Sequence, residues 1–168
     1  MIRPLRLALV LGLAAFLSIH ASPASASPSN RLLFIYDEEN KNNSPYLALF
    51  RADLQSAGLA FDESPAAGLK GKDLSAYDRI LVYGIVQAFA MKEPLRDWLG
   101  TGPDLGGKTV SLFVTANRWF AAKLFSQLQD LLRKDGAQIV DAVSMATKDM
   151  ADSDKREAVR RLVAGMAH

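Results

Sequence analysis

Three continuous apolar runs punctuate the chain, at Leu32–Tyr36, Arg79–Val86 and residues 110–114. Uninterrupted β-prone runs of this length suit strands buried on both faces of a parallel sheet. Between them the pattern turns helical. Leu47, Phe50, Leu54 and Ala57 recur at helical spacing behind Ser44, which reads as an N-cap, and Pro45, which reads as the first helical residue; Gly58 supplies the stop. Residues 59–61 predict a short second strand, and 94–99 a short helix with Leu95, Trp98 and Leu99 on one face. Phe120, Leu124, Leu128 and Leu131 predict an amphipathic helix ended by Gly136; Ile139, Val140 and Val143 predict the last strand. A final helix runs from a Ser153 or Asp154 cap to Met166, with Asp152–Arg156 and Glu157–Arg161 spaced to pair on its outer face. Residues 64–76 and 100–107 read as turn-rich connections.

Strands that alternate with helices imply right-handed crossovers and a parallel sheet covered on both sides. Five strands in one domain of this size predict an α/β three-layer sandwich with strand order 2-1-3-4-5. Its ligand crevice lies at the carboxyl ends of the first, third and fourth strands.

The start of the chain does not belong to that domain. Arg3 and Arg6 precede an apolar run over residues 7–19, and Ala24-Ser25-Ala26 gives the small-x-small pattern of a cleaved leader. The expectation is a signal peptide over 1–26, a domain over 27–168, and a secreted or periplasmic protein with no membrane attachment after cleavage. Arg3 and Arg6 leave with the leader, so 20 basic and 18 acidic residues become 18 of each. A neutral domain offers nucleic acid no electrostatic footprint. The chain has no cysteine, which excludes disulfides, thiolate chemistry and Cys-ligated metals. Of its two histidines, His20 lies in the leader and His168 is the last residue, so neither a His-based triad nor a His metal site is expected.

Residues 69–146 carry a family resemblance, in the segments GKDLSAYDRILVYGIV, MKEPLRDWL, LGGKTVSLFVTA and LFSQLQDLLRKDGAQIVDAVSM. They resemble the flavodoxins and NAD(P)H-dependent FMN reductases. An acidic-aromatic lead-in precedes the third strand, a Pro-containing helix follows, a Gly-Lys turn opens the fourth strand, and a helix-Gly-strand leads to the fifth. The resemblance implies a flavodoxin-like fold and FMN held by three loops. Such families wrap the FMN phosphate in a Ser/Thr- and Gly-rich loop after the first strand. Here that loop reads Asp37-Glu38-Glu39-Asn40-Lys41-Asn42-Asn43-Ser44: it has no glycine, and Glu38 and Asn43 replace hydroxyl residues. The resemblance assigns Asn40, Asn42, Asn43 and Ser44 to the phosphate, Gly84, Gln87 and Phe89 to the loop after the third strand, and Thr115, Asn117 and Trp119 to the loop after the fourth. Phe89 and Trp119 would each stack on the flavin ring or pack on the next helix.

The opening also resembles response-regulator receiver domains, with Asp37 and Glu38 at their cation-binding acidic pair and Thr115 at their hydroxyl position. Tyr83-Gly84 stands where they carry the phosphoacceptor aspartate, and Ser144-Met145-Ala146 where they carry a lysine. The readings open on the sequence are therefore an exported FMN-dependent redox protein, a flavin-free ligand- or protein-binding module on the same fold, and a small hydrolase or metal enzyme around Asp37, Glu38 and Glu39. No metal site and no specific catalytic residue is assigned.

Overall fold

A computed structural model describes residues 31–86, 94–116, 121–148 and 150–167. The elements follow in the order β1 (Leu32–Tyr36), α1 (Ser44–Ser56), β2 (Phe61–Pro65), a 3-10 turn (Ala66–Leu69), β3 (Arg79–Val86), α2 (Pro94–Gly100), β4 (Thr109–Ala116), α3 (Ala121–Lys134), β5 (Gln138–Ala146) and α4 (Asp152–Gly165). The strands form one five-stranded sheet in the order β2-β1-β3-β4-β5, every neighbouring pair parallel. This is the expected flavodoxin-like α/β sandwich.

The pleat divides each apolar run between two cores. Leu33, Ile35, Ile80, Val82, Val110, Leu112 and Val114 face the layer of α2 and α3. Leu32, Phe34, Tyr36, Leu81, Tyr83 and Phe113 face the layer of α1 and α4. Phe50 of α1 is the hub of the second core. Its ring centroid lies 5.2 Å from that of Phe34, 5.4 Å from Phe113 and 5.8 Å from Tyr83.

Several boundaries differ from the pattern-based expectation. The second strand is Phe61–Pro65 rather than 59–61, because pairing with β1 sets its register from Leu32↔Phe61 to Tyr36↔Pro65. As an edge strand it tolerates exposed Glu63 and a terminal proline. The N-cap of α1 is Asn43 and Ser44 is already helical, since the Asn43 side chain is used by the preceding loop. In α3 the buried stripe is Leu124, Leu128 and Leu132, with Leu131 at its margin. α4 starts at Asp152 behind Ala151, which offers no capping side chain. Its exposed pairs form at the alternative helical spacing of three, Lys155–Asp152 and Arg160–Glu157, while Arg161 reaches across to Asp141. β5 is longer than expected and only half-buried. Opposite Val110 and Ser111 its register slips by one, so Val140 is the extra residue and is 47% exposed.

Truncating the hub tests this packing. Phe50→Ala removes a fully buried ring from the centre of an aromatic cluster and is expected to cost about 3–5 kcal/mol of stability. Urea denaturation followed by circular dichroism measures it; a loss within the range of an exposed substitution would show that the cluster is not packed as described.

Candidate functional site

The sheet topology makes a crevice between β1 and β3. The chain leaves β1 towards α1 on one face and β3 towards α2 on the other, so the two connections diverge at the carboxyl edge. Asp37, the first residue after β1, is buried at this point. Its Oδ2 accepts the Ile85 amide at 2.9 Å and its Oδ1 accepts the Leu95 amide at 3.0 Å. One carboxylate thus ties together the ends of β1 and β3 and the first turn of α2. Burial pushes its pKa above the ordinary 3.8, against the opposing pull of the two amide hydrogen bonds. Both oxygens are engaged, and among the described residues no group of three or more acidic or histidine side chains is arranged to hold a metal ion.

The loop that follows is bonded to itself. Asn43 is fully buried; its Oδ1 accepts the Asn40 amide at 2.8 Å and its Nδ2 donates to the Glu38 carbonyl at 3.0 Å. The Asn40 Oδ1 accepts the Asn42 amide at 2.9 Å, and the Asn40 carbonyl accepts the Ser44 amide at 2.9 Å. The Ser44 hydroxyl donates to Glu39 Oε1 at 3.1 Å. Glu39 is held in turn by Arg51 Nη2 at 3.0 Å, whose Nε bonds Glu63 at 2.8 Å. The guanidinium beside Glu39 holds that carboxyl below its usual range.

These bonds bear directly on the residues assigned to a phosphate. Asn40, Asn42, Asn43 and Ser44 are brought together, but the Asn40 and Asn43 side-chain amides donate to the Glu38 carbonyl, the four backbone amides to Asn40 and Asn43 oxygens, and the Ser44 hydroxyl to Glu39. A phosphate dianion needs several donors converging on one point. Here the donors of Asn40, Asn43 and Ser44 are spent within the loop, with the carboxylates of Asp37, Glu38 and Glu39 beside them. This donor set does not fit the FMN phosphate.

Gly84 lies inside β3, where a side chain would meet Leu128 at 3.2 Å and Leu95 at 3.3 Å; its role in the fold is to let α2 and α3 approach. Thr115 lies inside β4, buried, with its hydroxyl 3.0 Å from that of Tyr83. Gln87, Phe89, Asn117 and Trp119 fall outside the described residues.

Sequence reasoning did not find Arg51 as a clamp, because Glu39 and Glu63 approach it only through the loop and the strand register. Nor did it find a groove of about 500 Å³ beside the same loop, between the first turns of α1 and α4. Tyr46 at its floor is four residues before Phe50, a spacing that reads as core.

No protein-family model matches the chain, and no curated protein matches it by sequence. Solved structures do match in shape. Oxidised flavodoxin 2 from Bacillus cereus has a TM-score of 0.66 at 18% identity, over 82% of this chain and 97% of that one. The flavodoxin of Streptococcus pneumoniae TIGR4 has a TM-score of 0.67 at 12% identity, over 82% and 97%. Its counterpart from Fusobacterium nucleatum bound to flavin mononucleotide has a TM-score of 0.60 at 12% identity, over 80% and 95%. The chain has the flavodoxin fold. At these identities the likeness speaks for backbone architecture, and the flavodoxin fold alone does not carry a cofactor.

The Asp37 bridge has a pH signature. Because burial raises its folded-state pKa, the native protein binds this proton more tightly than the unfolded chain does. The stability it contributes is full below the unfolded value near 3.8 and is lost as pH rises through the raised folded value. The stability difference between the native protein and Asp37→Asn should therefore move in favour of the variant from about pH 4 to about pH 7. Chemical denaturation at the two pH values measures it, and movement in the opposite direction would refute the assignment.

Proposed function

We propose that this chain is a flavin-free, non-catalytic binding protein built on the flavodoxin fold. The observation that carries the reading is the loop after β1, in which the Asn40, Asn43 and Ser44 donors are occupied internally and the neighbouring carboxylates repel a dianion. Taking it apart for a phosphate would break at least the Asn40–Asn43 and Ser44–Glu39 bonds, each of a kind worth about 1 kcal/mol.

A second reading keeps FMN and electron transfer. It is favoured by the likeness in fold to flavodoxins, one of them solved with flavin mononucleotide, and by the aromatic residues Phe89 and Trp119 in the sequence that follows β3 and β4. Titrating the purified protein into FMN and following flavin fluorescence separates the two. The flavin-free reading expects no quenching attributable to a site tighter than about 10 μM. Saturable quenching by the native protein, or yellow protein on purification, would put the electron-transfer reading first. If Glu38→Thr with Asn43→Thr gains binding that the native chain lacks, the loop alone is the obstacle.

Export belongs to the same proposal, supported by Arg3, Arg6, the apolar run 7–19 and Ala24-Ser25-Ala26. No helix among the described residues is long and apolar enough to cross a membrane. Intact mass of the protein from the exported fraction should place its first residue near Ser27. A species there that retains residues 1–26 would count against export by cleavage.

A further inference from the structure

The groove between α1 and α4 lies on the sheet face opposite α2. It shares Asn42 with the loop after β1 and otherwise stands apart from the crevice. At its floor Tyr46 is 7% exposed, and its hydroxyl is buried without a well-formed hydrogen bond. The Thr147 hydroxyl donates to the Ala116 carbonyl at 3.0 Å and turns its oxygen toward the phenol, but outside normal hydrogen-bond geometry. Burial raises the pKa of the phenol, against the pull of Lys155 and the Thr147 hydroxyl, with Asp152 acting in the same direction as burial. A protonated donor therefore faces these charged groups with no partner at normal hydrogen-bond geometry. Unpaired buried polar atoms are uncommon and destabilising, and each calls for a cause.

The rest of the wall supplies one. Lys155 and Arg156 outnumber Asp152, and the Lys155–Asp152 pair at 2.9 Å is a partly exposed one of the weak kind. α4 is 14 residues long and begins without a side-chain cap, so its positive end is open beside them. Asp152 and Asp154 in that first turn limit how much negative charge is welcome. Leu49 adds apolar surface next to the Tyr46 ring.

We infer that this groove binds a small carboxylic acid with an apolar body. The carboxylate takes the Tyr46 hydroxyl proton in a hydrogen bond and draws Lys155 from Asp152, Arg156 adds charge, and the body lies against Leu49. The inference holds whichever reading of the crevice is right, because it uses neither the crevice nor the phosphate donors.

Amide shifts of the purified ¹⁵N-labelled protein test it, with benzoate and hexanoate as probes and benzyl alcohol and inorganic phosphate as controls. The expected result is saturable shifts at Tyr46, Leu49, Thr147 and Lys155 with at least one acid, and none with either control. Tyr46→Phe should melt no lower than the native protein yet bind the acid about tenfold more weakly, and Lys155→Gln should weaken it similarly. The inference is overturned by the absence of saturable shifts with both acids, by an equal response to phosphate or benzyl alcohol, or by native affinity in both variants. A lower melting temperature for Tyr46→Phe would also overturn it, since the hydroxyl would then already have its partner.

Discussion

The carboxyl edge of this sheet is organised by one buried carboxylate. Asp37 leaves β1 where the connections of β1 and β3 part to opposite faces, a point at which parallel sheets leave backbone amides without sheet partners. Its two oxygens take the amides of Ile85 and Leu95, satisfying donors from two separate elements that would otherwise be buried unpaired. Burying the charge opposes the bond energy, which is why the pKa rises. What results is a crevice whose anion is part of the chain.

The loop after Asp37 follows from that constraint. With one acidic side chain turned inward, the remaining polar residues close on themselves: the Asn43 side-chain amide serves the Asn40 amide and the Glu38 carbonyl together. Glu39 is drawn to Arg51 rather than left near the first turn of α1, and the Ser44 hydroxyl goes with it. Arg51 also stands 5.8 Å from the centre of the Tyr36 ring and reaches Glu63, so α1, β1 and β2 are joined at one exposed point. The crevice and the groove on the other side of α1 therefore share the loop after β1, while the groove's charged side chains come from α4.

The comparison with flavodoxins separates architecture from chemistry. A TM-score of 0.66 at 18% identity means that the backbone architecture is shared while most side chains differ. Core positions accept any apolar group of suitable volume. A phosphate nest depends on a few backbone donors held in one orientation, which the fold by itself does not fix.

Strand and helix identity was legible in the sequence because burial on both faces demands continuous apolar runs, and helix packing demands a stripe at 3.6-residue spacing. Leu32–Tyr36, Arg79–Val86 and the stripe through Phe50 were readable on those grounds, as was the 2-1-3-4-5 order that their alternation implies. The absence of glycine from residues 37–44, and their two glutamates, were equally visible. Register was not: the shift of β2 to Phe61–Pro65 and the bulge that exposes Val140 depend on partner strands, which no local pattern encodes. The roles of Asp37, Arg51 and Tyr46 were decided by tertiary structure alone. Asp37 meets Leu95 and Arg51 meets Glu39 and Glu63 across long gaps in the chain, and whether a polar atom is paired or orphaned depends on what the fold brings within 3 Å of it.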